Sequence, residues 1–298
     1  MATSTYQSGD VIIAGPRKRS PTLQFTIRLA KQPIAAASLV LIFLIVFSAL
    51  FANVVSPFDP IRISRDTFQS PSLEHPMGTD DLGRDMFSRI IHGARISLYV
   101  GLVSVFVGVF LGSTVGLISG TAGGVTDLLV QRVVDAMLAF PALVLTMALV
   151  SVFGASTSSA LIAIAIVFIP GTSRIVRSAV LSVKQNMYIE AARSVGATNL
   201  RIMLRHILPN VMAPILILIS AYVGAAILIE ASLSFLGLGT QPPNPSWGLM
   251  LSGTGRRYME EAPWMAIFPG IAISLTVLAF NMLGDVLRDM LDPRLRAR

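Results

Sequence analysis

The sequence contains no cysteine, only three histidines and few charges. Without cysteine there is no disulfide framework, no thiolate nucleophile and no cysteine-based metal site. The histidines stand at 75, 92 and 206, and none is paired at an i,i+4 spacing, so a zinc-protease helix is excluded. No P-loop pattern occurs, so this chain does not bind a nucleotide by that route. Charged residues make up 13% of the 298, where soluble domains carry about a quarter. Twenty-three Lys and Arg with 16 Asp and Glu are too few to wet the surface of a soluble protein of this length. What is present is apolar: 53% of residues are hydrophobic, and the mean hydropathy is +0.72. The apolar residues come in long runs. That excludes a disordered chain or a coiled coil, argues against a soluble enzyme, and matches a multi-spanning membrane protein. The net charge of +7 is then read as a topology signal rather than a nucleic-acid footprint.

A span needs about 20 apolar residues to cross about 30 Å of hydrocarbon. Six segments meet or approach this, which predicts an all-α polytopic membrane protein with six transmembrane helices. Residues 1–33 form a basic leading segment with Arg17, Lys18, Arg19, Arg28 and Lys31. The first span, 34–55, is too long and starts too far from Met1 for a cleaved signal, so it reads as an uncleaved helix. The others are 96–119, 136–153, 159–173, one beginning near Val211, and 264–284. The fourth is short. It is expected to continue through Arg174 and Arg177, whose stems would snorkel to the headgroups, and to kink at Pro170-Gly171.

Residues 56–95 and 237–263 then lie on one side of the membrane, and 184–209 and 285–298 on the other, with a five-helix core over 96–284. Sixteen basic residues fall on the side of the termini and seven on the opposite side, which also holds eight of the acids. The positive-inside rule therefore makes both termini cytoplasmic.

Several segments are more than spans. Ser104, Gly108, Gly112, Gly116 and Gly120 put a small residue at every fourth position of span two, one stripe along a helix. It serves either ordinary intrachain packing or a helix that slides on, or touches, a partner subunit. Residues 184–209 read KQNMYIEAARSVGATNLRIMLRHILP. Glu190 to Val195 predicts a short helix, Gly196 a left-handed stop, and Asn199 the cap of a second helix ending before Pro209. In that second helix Leu200, Met203, Leu204 and Ile207 share one face, and Arg201 and Arg205 another. Such a pair is a knob for a groove on a soluble partner, or else a solvated loop that only fixes topology.

Glu230 is the one acid in an apolar stretch, about 28 Å of helix beyond Val211, hence near the outer interface. It either lines the translocation path or an outer gate, or pairs locally and holds the following turn. Asp127, Gln131 and Asp135 share a face beside Arg132 and are read as orienting span three. Asp80, Asp81 and Asp85 lack the ligand spacing of a calcium loop, and Arg84 and Arg89 supply counter-charge. The stretch 56–95 is therefore read as a structured cap, with no metal site. Past residue 284 a short helix places Arg288 within reach of Asp285 and Asp292, with Leu283, Val286, Leu287 and Met290 on its apolar face.

The stretch from Glu190 to Pro209 resembles the EAA loop of ABC importer membrane subunits. Glu190, Ala191, Ala192, Gly196, Leu208 and Pro209 match in register, while His206 stands where the general pattern has Ile. HPMGTDDLGRDMFSRIIHGARISL, EASLSFLGLGTQPPNPSWG and FNMLGDVLRDMLDPRLR resemble, in order, the peptide-type branch that includes dipeptide, oligopeptide, glutathione and nickel importers. The likeness extends from about residue 75 to the C-terminus and points to the second of the two paired permeases. It implies a type I ABC importer permease fold, without catalysis or a cofactor of its own, in a bacterial or archaeal plasma membrane. It implies ATP and Mg on two ATP-binding partner subunits, a homologous second permease, and an extracytoplasmic binding protein. It also implies docking on the ATPase through Glu190, Ala191, Ala192 and Gly196, with Arg193, Arg201 and Arg205 facing its acids and Leu208 and Pro209 closing the motif.

Three other classes fit less. An ion-coupled secondary transporter calls for ionisable groups at mid-membrane and often for inverted repeats; only Glu230 and the fourth span lean that way. An intramembrane hydrolase needs a Ser-His or paired-Asp site, and all three histidines lie outside the spans. A channel is open on composition alone. Neither the secondary transporter nor the hydrolase explains a basic two-helix loop.

Overall fold

The computed structural model describes residues 32–291. Among them the chain is helical, with a single isolated bridge, Thr79 to Asp85, and no strand. The long helices are α1 (Pro33–Leu50), α3 (Met86–Ala122), α6 (Thr157–Lys184), α9 (Leu208–Phe235) and α12 (Trp264–Leu291). Shorter ones are α2 (Ala52–Val55), α4 (Gly124–Leu138), α5 (Ala142–Phe153), α7 (Met187–Ser194), α8 (Asn199–Ile202), α10 (Trp247–Leu251) and α11 (Thr254–Arg257). Five helices are long and apolar enough to span a membrane, and α4 with α5 makes a sixth if the bent pair is one span.

The third span is therefore not the single helix expected over 136–153. Its two halves meet at 93°, and the break falls at Pro141. Proline has no N–H to donate and disfavours helical backbone in the residue before it, so the chain turns there. The pair still crosses the protein. Asp127 on α4 meets Arg177 near one end of α6, whereas α5 leads through Gly154 to Ser156, which caps the other end of α6.

The boundaries of other spans shift outward. Helix α3 begins at Met86 rather than 96, because Asp85 caps it by accepting from the Ser88 N–H at 2.8 Å. Helix α6 runs through Pro170 and past Arg174 and Arg177 to Lys184, as anticipated for a short span with an extension. Helix α12 continues unbroken to Leu291, so the expected separate short helix after 284 is the end of span six. There Val286 is buried and Asp285, Arg288 and Asp289 are exposed, the face assignment expected. Asp285 and Arg288 form no ion pair with each other, and Asp292 lies outside the described residues.

The core lies where α3 packs along α6, with α9 laid across both and α12 and α1 outside it. The small-residue stripe makes this contact. A Cβ added at Gly108 would stand 2.6 Å from the Ala165 carbonyl oxygen, and one at Gly112 2.6 Å from Thr172 Cβ. At Gly116 it would meet the Ser173 carbonyl oxygen at 2.6 Å, and at Gly120 Val180 Cγ1 at 2.9 Å. Ser104, buried on the same stripe, donates to the Gly101 carbonyl. All five thus face the inside of this chain, the four glycines against α6. The opposite faces of the spans are apolar and exposed, as at Phe43, Phe47, Phe106 and Phe110. That inside-out distribution is what a lipid solvent requires.

Candidate functional site

At one end of the bundle the chain between α6 and α9 forms an exposed arm. Helix α7 covers Met187–Ser194 and stops at Gly196, whose φ of +81° is the left-handed turn expected there. The Ala197 N–H reaches back to the Ala192 carbonyl at 3.0 Å, closing the helix end. The cap of α8 is Thr198, one residue before the expected Asn199; its hydroxyl accepts from the Arg201 N–H.

The second helix does not end before Pro209. It widens into a π turn over Met203–Ile207, where the Leu208 N–H bonds to the Met203 carbonyl, and runs straight on as α9. Pro209 has no N–H to give, and its ring crowds the carbonyl four residues back. The wider turn relieves that crowding. The register change also alters the buried face. Ile202 and Ile207 are fully buried, while Leu200 and Leu204, expected beside Met203 and Ile207, stay exposed.

The arm presents its charge and its apolar side chains outward. Glu190, Ala191, Arg193, Arg201, Arg205 and Pro209 are exposed, and Ala192 and Leu208 are partly so. None of Glu190, Arg193, Arg201 and Arg205 has an ion-pair partner among the described residues. Val195 is 84% exposed and Met187 83%. A hollow of about 450 Å³ opens between the two arm helices, floored by Ala191, Ala192 and Ala197 and rimmed by Tyr188, Arg201 and His206. Only Ile189 of α7 is buried, which anchors the arm to the bundle core.

The opposite end carries the cap. Residues 56–85 have no helix, yet they are densely bonded. Asp80 accepts from the Leu82 and Arg84 N–H groups and from Arg84 Nε at 2.7 Å, with Arg89 Nε 3.5 Å away. His75 Nδ1 lies 2.8 Å from Asp85 Oδ1, and Arg89 donates to the Pro60 carbonyl. Trp264 donates to the Thr79 carbonyl and Trp247 to that of Ile90, stapling the cap and α10 to α12 and α3. The carboxylates of Asp80 and Asp85 are thus each committed to different partners rather than convergent on one point. No group of three or more His, Asp and Glu suited to a metal ion occurs among the described residues.

Glu230 is 1% exposed and lies inside the protein. It accepts from Ser97 on α3 at 3.0 Å and from Ser234 one turn on at 2.7 Å, and Ser234 in turn receives the Thr240 N–H. The carboxylate therefore ties α9, α3 and the turn after α9 together. Arg174 and Arg177 have protein partners. They pair with Asp135 and Asp127, contacts that the sequence could not pair because 39 and 50 residues separate the partners. The only advance signal was that both acids share a face of their helix.

Residues 112–297 match the family described as binding-protein-dependent transport system inner membrane component, a stretch that holds the arm, Glu230 and most of the core. The chain belongs to that family. Residues 20–75 match the N-terminal transmembrane domain of oligopeptide transport permease C. The permease is 45% identical to the dipeptide transport system permease protein DppC of Alkalihalophilus pseudofirmus, over 93% of this chain and 91% of that one. It is 44% identical to the glutathione transport system permease protein GsiD of Pectobacterium atrosepticum, over 96% and 95%. Its fold resembles that in the inward-facing MetNI methionine ABC transporter, with a TM-score of 0.57 at 19% identity, covering 69% of this chain and 97% of that one.

Proposed function

We propose that this permease forms half of the translocation pathway of an ATP-driven importer of short peptides, and couples to its ATPase through the arm. The observation that carries the coupling role is the arm itself. Two helices stand exposed at one end, joined by a glycine turn, with Glu190, Arg193, Arg201 and Arg205 unpaired among the described residues and a hollow floored by alanines. Burying such a surface needs a partner with a matching groove and acids for the arginines. Exposed pairs of this kind add only about 0–1 kcal/mol each, so the apolar contacts at Met187, Val195 and Leu200 supply most of the docking.

Two similar relatives are named for a dipeptide and for glutathione, itself a tripeptide. Peptides of two or three residues, delivered by an extracytoplasmic binding protein, are the cargo class that both support. The chain carries no catalytic group for this task. ATP and Mg belong to two ATP-binding subunits, and a homologous permease completes the pathway. Both termini and the arm face the cytoplasm, by the excess of basic residues on that side.

Affinity-tagging this chain, extracting it gently from native membranes and identifying what co-purifies tests the reading. A second permease with one or two P-loop ATPases is the expected result. Recovery of this chain alone, still transporting without ATP after reconstitution, overturns it in favour of an ion-coupled secondary transporter.

A further inference from the structure

Beside the arm lies a polar cluster to which coupling by surface docking gives no part. Asp127 and Gln131 stand on α4, Ser119 near the end of α3, and Arg177 and Lys184 on the last turns of α6. Arg177 grips Asp127 at two points, Nε to Oδ1 at 2.6 Å and Nη2 to Oδ2. Ser119 donates to the same carboxylate and accepts from Gln131 Nε2 at 3.1 Å. Lys184 Nζ donates to the Gly120 and Thr121 carbonyls at 2.9 and 3.0 Å, which caps the end of α3. Asp135 and Arg174 add a second pair, exposed on both sides and correspondingly weak.

Helix α4 is joined softly at both ends. Gly123 precedes it and Gly124 begins it, both with positive φ, and the 93° bend follows it. Its apolar face, with Val125, Leu128, Leu129 and Val133, is exposed. Val134 is the one buried apolar side chain of α4. The rest of its hold on the bundle is its polar face, above all the two-point Asp127–Arg177 contact, whose planar fork fixes orientation as well as distance. Helix α6, which carries Arg177, is separated from arm helix α7 only by Gln185 and Asn186.

We infer that the Asp127–Arg177 contact, seated on Ser119, is a latch that makes α4 travel with α6, so that displacement of the arm moves the first half of the broken span. The latch stays closed through the cycle and transmits motion; it is not a gate that opens. This rests on the proposed coupling role of the arm.

The chain has no native cysteine, so the test is direct. The complete importer carrying the Asp127→Cys and Arg177→Cys pair is reconstituted and assayed for solute imported per ATP hydrolysed. The pair is measured reduced, then joined by a short bifunctional thiosulfonate. Reduced, it is expected to hydrolyse ATP but to import about fivefold less solute per ATP. Joined, it is expected to recover most of the loss. Asp127→Asn, which keeps the side-chain shape, should uncouple in the same direction at normal membrane abundance, separating loss of the latch from failure to fold. A reduced pair as well coupled as the unaltered importer overturns the proposal, as does a joined pair that stays uncoupled. The unaltered complex is the control for the function itself: if it imports nothing in response to ATP, the importer reading fails and the latch is not what failed.

Discussion

Gly196 and Glu230 show how differently two singled-out residues can be used. Gly196 sits at φ +81° with nothing within 4 Å of where a Cβ would stand, so the backbone and not space demands glycine. A side chain there costs about 1–2 kcal/mol for left-handed backbone, and it disturbs the turn between the two arm helices. Gly196→Asp is expected to insert in the membrane at normal abundance and to fail in transport; uptake assayed at matched abundance checks this. Glu230, by contrast, is an internal brace. Glu230→Ala leaves the Ser97 and Ser234 hydroxyls without their buried acceptor, at about 1–3 kcal/mol each. The melting temperature of the purified protein should fall clearly for Glu230→Ala and much less for Glu230→Gln, whose amide oxygen can still accept. A pathway-lining role would instead show as altered uptake by Glu230→Gln at unchanged stability.

Among the elements, the pairing of α3 with α6 depends on the absence of side chains. Gly108, Gly112 and Gly116 let backbone meet backbone, the usual way to gain packing where lipid supplies no hydrophobic drive between helices. Gly112→Leu forces the two helices apart against Thr172 and the Ile169 carbonyl, at about 1–3 kcal/mol or more. Thermal unfolding in detergent should show a large drop, and Gly270→Ala in α12, where a Cβ meets nothing, should show almost none. The arm joins α9 through a π turn because Pro209 stands at the junction, so the lever and the fifth span are one continuous element. The pattern of Leu200, Met203, Leu204 and Ile207 suggested a regular helix ending at the proline. One extra residue in the turn rotates the face and buries Ile202 instead.

At the scale of the molecule, the protein has two unlike ends separated by apolar helices. The cap is compact and internally bonded; the arm is exposed, basic and open to a partner. Their sides of the membrane are proposed from charge, and single cysteines in this cysteine-free chain test the assignment. Leu73→Cys, on the fully exposed part of the cap, should react with a membrane-impermeant maleimide on intact cells. Gln185→Cys, exposed at the base of the arm, should react only once the membrane is opened. The reverse labelling would invert the topology and with it the side from which an ATPase can dock.

Much of this architecture was legible in the order of residues. Hydropathy runs marked five of the spans, because in lipid every spanning helix must be apolar along about 20 residues whatever it packs against. Gly196 announced its turn, and the spacing of Ser104 to Gly120 announced a close helix contact, because both are local requirements of backbone geometry. The tertiary structure decided what depends on distant partners. It chose α6 as the surface against the glycine stripe, turned Glu230 inward onto Ser97, broke the third span, and matched Asp127 with Arg177 across 50 residues. Local sequence sets the shape a segment can take, but which buried charge meets which counter-charge is settled only when the helices are brought side by side.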